Sequence, residues 1–133
     1  MNQVKITGIH HVALKCRGVE HYEKTLHFYR DLLRLPVVRS WGEGEGSGIM
    51  LDTGAGLLEI FANAPDALGA GALRHIAFAV EDTDACIAVV REAGYTVTME
   101  PNDICIASTP PYPARIGFCI GPVGEEVEFF CVK

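Results

Sequence analysis

The stretch Gly8-Ile9-His10-His11-Val12-Ala13-Leu14-Lys15-Cys16 decides the fold, because the chain uses it twice. His11-Val12-Ala13-Leu14-Lys15-Cys16 returns as His75-Ile76-Ala77-Phe78-Ala79-Val80, 64 positions later. Each copy runs toward a Glu set in an apolar segment. These are Leu57-Leu58-Glu59-Ile60-Phe61 and Glu126-Val127-Glu128-Phe129-Phe130. The His-to-Glu interval is 48 positions in the first half and 53 in the second. Such self-similarity implies a duplicated structural unit. One His and one Glu retained per unit suggest four side chains that converge on a divalent cation.

The flanking sequence supplies the rest of the unit. Residues 6–16 read as a strand. Residues 19–33 read as a helix, with Tyr22, Leu26, Tyr29 and Leu33 on one face. Strands are predicted at 36–41, 49–53 and 57–62. The acidic, glycine-rich Gly42-Glu43-Gly44-Glu45-Gly46-Ser47-Gly48 forms a turn, and Gly54-Ala55-Gly56 closes a hairpin. The turn-rich segment 63–71 links the halves. The second unit repeats the plan: strand 73–80, a helix capped by Asp82 and ending before Gly94, and strands at 95–99, 114–120 and 125–132. Cys86, Val89, Val90 and Ala93 form the predicted inner face of that helix, and 101–113 reads as irregular. The expected class is α+β. Two βαβββ units, about 6–62 and 73–132, make one domain over 1–133, with a curved mixed sheet and helices outside.

Composition bounds the function. At 133 residues and 49% apolar, the chain supports a sizeable core. Its net charge of −6 speaks against nucleic acid and anionic membrane as partners. No stretch has the length of a membrane span, and the N-terminus lacks a signal-peptide profile. The five cysteines are odd in number and widely spaced, with no Cys-x-x-Cys. They read as reduced, mostly buried thiols of a cytoplasmic protein.

Strand alternation orients the candidate ligands. His11, Ala13 and Lys15 share a face opposite Val12, Leu14 and Cys16. His75, Ala77 and Ala79 oppose Ile76, Phe78 and Val80. Glu59 opposes Leu58 and Ile60, and Glu128 opposes Val127 and Phe129. Each His and Glu therefore points away from the apolar face, and the alanines beside the histidines leave room for a ligand. His10, one residue away, is expected to point to the other face and to be structural. His21 and His27 read as solvated helix positions.

With these residues in place, the chain resembles the vicinal oxygen chelate superfamily (glyoxalase, bleomycin resistance protein, dioxygenase), whose small members include glyoxalase I. GIHHVALKC through HFYRDLLRLPVV resembles the family's opening segment. LRHIAFAVEDTDACIAVVREAGYTV resembles the start of its second unit, and GPVGEEVEFF its closing strand. The resemblance implies metal ligands at His11, Glu59, His75 and Glu128, a set similar to that of bacterial glyoxalase I. It implies one divalent metal (Ni, Zn, Co or Mn) and proton abstraction next to a carbonyl, with Glu128 as base and Glu59 as partner. Lys15 stands where the family usually has a carboxylate-binding Arg, and Asn63 matches a substrate-binding Asn. A second family Arg is replaced by Thr98-Met99-Glu100, which leaves Arg74 and Arg115 as stand-ins. The implied activity is that of a glyoxalase I-like lyase on a small substrate, a thiol adduct of a 2-oxoaldehyde, in a homodimer. The alternatives are a methylmalonyl-CoA epimerase-like enzyme and a non-catalytic small-molecule- or drug-binding protein.

Overall fold

The computed structural model describes residues 4–133. The chain divides between Ala67 and Leu68 into two compact units, and each carries the β-α-β-β-β order that the repeat predicts. Unit 1 contains β1 (His11–Lys15), α1 (Gly18–Leu26) with a π-helical continuation (His27–Leu32), β2 (Val37–Trp41), β3 (Gly48–Asp52) and β4 (Leu57–Phe61). Unit 2 contains β5 (His75–Ala79), α2 (Thr83–Glu92), β6 (Val97–Ile106), β7 (Tyr112–Ile120) and β8 (Glu126–Val132). The strands hydrogen-bond as two four-stranded mixed sheets, ordered β1-β4-β3-β2 and β5-β8-β7-β6. In both, the first strand runs parallel to the last and the other pairs are antiparallel. The class is α+β, as predicted.

In unit 1 the helix covers one sheet face. Tyr22, Leu26, Phe28 and Tyr29 are buried with Ile49, Leu51, Leu58 and Ile60. The sequence predicts one regular helix over 19–33, but its second half widens. The Leu33 N–H donates to the carbonyl of Phe28, five residues back. Two consecutive rings, Phe28 and Tyr29, are thereby both fully buried, edge to face at 4.8 Å. A regular helix would turn them about 100° apart. β1 starts at residue 11 instead of 6 because its one partner, β4, begins at Leu57. Beyond that point the chain turns through Gly54 and Gly56, both at positive φ.

In unit 2, Asp82 caps α2 by accepting a hydrogen bond from the Ala85 N–H at 3.0 Å, and Gly94 follows its end at φ +94°. The inward face differs from the expected one. Thr83, Ile87 and Val90 are buried, whereas Val89 and Ala93 are exposed. Gly117 of β7 sets this rotation: its missing side chain leaves room for Ile87, which a Cβ there would crowd. The segment read as irregular after 101 belongs partly to β6, which runs unbroken to Ile106. Pro101 is accommodated because the β6–β7 register shifts between Met99 and Asn102. The five cysteines are thiols, as expected, but only Cys16 and Cys119 are fully buried and Cys105 is exposed. Burial pushes the Cys119 thiol up to about 12. Among the described residues, no helix is long and apolar enough to cross a membrane.

Candidate functional site

Parallel pairing of first and last strands builds the same His–Glu pair in each unit. Ala13 lies opposite Glu59, so His11, two residues earlier, sits diagonally across from it on the same face. The His11 Nε2 lies 3.4 Å from the Glu59 Oε1, with the imidazole 40% and the carboxylate 11% exposed. In unit 2, Ala77 lies opposite Glu128. The His75 Nε2 lies 3.2 Å from the Glu128 Oε1, at 44% and 9% exposure. An accessible imidazole therefore leans over a buried carboxylate in each unit. Ala13 and Ala77 are exposed at the foot of each pair, which keeps the approach open.

These separations suit two neighbouring ligands of one cation. Donors about 2.1 Å from an ion stand about 3.0 Å apart in an octahedron and about 3.4 Å apart in a tetrahedron. Imidazole nitrogen with carboxylate oxygen is also a donor set that Zn, Ni, Co and Mn accept. Among the described residues no group of three or more His, Cys, Asp or Glu gathers into a complete cation site. The two His–Glu pairs are built separately, one per unit.

The Glu128 carboxyl is raised above the usual carboxylate range, because burial penalises its charge more than the His75 imidazole relieves it. A carboxyl in that state holds a proton more strongly, which suits a group that accepts one from carbon.

His10 departs from the placement that strand alternation implies. It precedes β1, outside the strand alternation, and its Nδ1 approaches the His11 Nδ1 at 2.9 Å. The rings meet edge to face at 5.1 Å. In the His11 tautomer that leaves the Nε2 lone pair free, the hydrogen sits on Nδ1, and the His10 Nδ1 can accept it. The signal was the His10-His11 dipeptide at the mouth of a strand, where alternation lapses.

The remaining candidates separate. Lys15 is exposed on the same face as His11, opposite Phe61. Asn63 lies beyond the end of β4, bridged to Arg17. Both line a cavity of about 350 Å³ that also includes Glu45 and leaves Lys15 outside. Arg17 is the cation beside Asn63 that the sequence reading did not single out. Of the two proposed stand-ins, only Arg115 is taken up by carboxylates. Arg115 is clamped between Asp84 (2.6 and 3.0 Å) and Asp103 (3.2 Å), and Arg74 donates to the Gly71 carbonyl at 3.3 Å.

Over residues 8–128 the sequence matches the Glyoxalase/Bleomycin resistance protein/Dioxygenase superfamily. The chain belongs to this superfamily. The superfamily fold recurs in the crystal structure of SMU.1112c, with 27% identity, a TM-score of 0.75, and coverage of 95% of this chain and 99% of that one. A glyoxalase family protein from Enterococcus faecalis is also 27% identical, with a TM-score of 0.63 over 93% and 97% of the two chains. The fosfomycin resistance protein FosX from Listeria monocytogenes shares the fold at 12% identity, with a TM-score of 0.69 over 96% and 94%. No curated protein matches the chain at a significant level.

Proposed function

We propose that the protein is a metal-dependent lyase or isomerase of the glyoxalase I kind, a single domain over 1–133 acting in the cytoplasm as a homodimer. His11, Glu59, His75 and Glu128 would hold one divalent ion (Ni, Zn, Co or Mn). The observation that carries this reading is the duplicated pair, with a His Nε2 set 3.4 Å from the Glu59 Oε1 and 3.2 Å from the Glu128 Oε1 by the same strand register. Two imidazoles and two carboxylates neutralise a dication and leave room for a substrate with two adjacent oxygens.

The bound ion would serve as a Lewis acid that acidifies the C–H beside the substrate carbonyl. The chain's own groups do the rest. Glu128 takes that proton on a carboxylate oxygen while the C–H electron pair stays in the substrate. It then returns the proton to the adjacent carbon, so the step is an isomerisation that needs no external oxidant. Burial serves this role, because a poorly solvated carboxylate is a stronger base. Glu59 is its partner in the ligand set, and His10 holds the His11 ring. Lys15 and Asn63 bind the polar ends of the substrate, for which a thiol adduct of a 2-oxoaldehyde fits the chemistry.

The test is metal analysis of chelated and reloaded protein, followed by a panel of methylglyoxal with glutathione, bacillithiol or coenzyme A, read for the hydroxyacyl thioester. We expect one divalent ion per chain, lost in His11→Ala and in His75→Ala. A protein that retains its metal in both variants would overturn the ligand assignment. Turnover of a 2-acyl thioester epimer with no lyase product would move the reaction to the epimerase class with the same base.

A further inference from the structure

The sheet face of unit 1 that presents Glu59 also presents aromatic rings and two cations, and this pattern bears on the substrate. Residues opposite one another in the register share a face. One row across that sheet is Ala13, Glu59, Met50 and Arg39; the next is Lys15, Phe61, Gly48 and Trp41. Trp41 reaches across Gly48 to Phe61, with ring centroids 6.0 Å apart. Gly48 permits this, since a Cβ there would collide with the indole. Trp41 is 37% exposed, and Phe61 is partly so. Lys15 and Arg39 make no ion pair among the described residues, although the chain is acidic overall. In unit 2 an aromatic ring again stands beside the pair. Phe118 lies opposite Glu128, and its ring meets that of His75 at 5.6 Å.

We propose that the substrate of this site is an aromatic, anionic compound with two adjacent oxygens, an aryl 2-oxo or 2-hydroxy carbonyl compound. Its ring packs on the Trp41–Phe61 wall and its charge meets Lys15, the neighbour of Phe61 in the register. This rests on the reading of the His–Glu pairs as a metal site. A small aliphatic substrate leaves the wall uncovered, and a neutral one leaves Lys15 unanswered. Apolar rings flanking a few placed polar groups are the usual composition of a small-molecule site.

Trp41 is the chain's one tryptophan, so its fluorescence reports directly on the wall. The zinc-loaded full chain is titrated with mandelate and with lactate, which offer the same two oxygens and differ by the ring. We expect mandelate to bind roughly tenfold more tightly, as stacked aromatic contacts allow, and to change the Trp41 emission. Calorimetry follows the variants. Trp41→Ala and Phe61→Ala should each lose most of the preference, Trp41→Phe should keep it, and zinc affinity should stay unchanged in all three. Equal affinity for the two acids, or a preference that survives in both alanine variants, overturns the proposal. So does emission that ignores both acids but shifts with protein concentration, the sign that a second copy covers the face. Zinc content, measured first, decides the metal reading separately. If no zinc is held, the same comparison on metal-free protein still decides whether the wall selects the ring.

Discussion

Replacing Gly117 with alanine tests the packing of α2 against the sheet that presents His75 and Glu128. Gly117 sits on the helix-facing side of β7. A Cβ there would lie 2.7 Å from the Ile87 Cγ1, 2.9 Å from its Cδ1 and 3.4 Å from the Met99 carbonyl. Ile87 is 1% exposed, so its side chain has no free direction, and Ala is acceptable to the backbone since φ here is not positive. The cost is overpacking, about 1–3 kcal/mol, or a fall in Tm of ~4 °C per kcal/mol at this chain length. Ile87→Ala alone removes buried methyl groups and should cost about 2–5 kcal/mol. In the double variant the new methyl occupies part of the space that Ile87 vacates. Its loss should therefore fall short of the sum of the singles by at least ~1 kcal/mol. Urea unfolding at equilibrium, read from midpoints at constant slope, measures all three. Strict additivity, or a neutral Gly117→Ala, would refute the close approach of α2 to β7.

The other predictions concern the His–Glu pairs. Glu128→Gln should keep most of the metal and lose about 10²–10⁴-fold in turnover, while Glu59→Gln should be milder; steady-state rates with the identified substrate check the order, and reversed severity would exchange the roles of the two carboxylates. In metal-free protein the raised Glu128 carboxyl binds its proton more tightly folded than unfolded. Its contribution is thus fully present below the unfolded glutamate value, about 4.3, and is lost as pH rises through the folded value. Thermal melts should show Glu128→Gln gaining stability relative to wild type as pH rises from about 4 to 7, and an unchanged difference would count against a destabilised carboxylate. His10→Ala should weaken metal binding about 10–100-fold by freeing the His11 Nδ1, and His10→Asn, which offers an acceptor oxygen, should recover part of it; competition with a chromogenic chelator gives the affinities.

The repeat made much of this architecture legible. Alternation put His11 and Glu59, and likewise His75 and Glu128, on the face away from the core, and the strands present them there. Periodicity failed where neighbours overrode it. The helix after Leu26 widens to bury two adjacent rings, α2 rotates toward the gap at Gly117, and β6 continues through Pro101 across a shift in register. The contact of His10 with His11 was hidden for a related reason: a residue just outside a strand does not obey the strand's alternation. Trp41 and Phe61 were legible as apolar residues, but their meeting across Gly48 depends on β2–β3–β4 register, which spacing alone does not supply.

The mid-strand carboxylates also act as proofreaders of folding. A slip of β4 or β8 by one residue would swing Glu59 or Glu128 into the helix-covered layer that Leu58 and Ile60 or Val127 and Phe129 now fill, all four of them buried. An unpaired carboxylate there is heavily penalised, and the displaced leucine, isoleucine or phenylalanine would be stripped of its cover. Mispaired sheets are thus discouraged by the very acids proposed to grip the cation. A variant that neutralises either one should be watched for misfolded or aggregated product as well as for lost turnover.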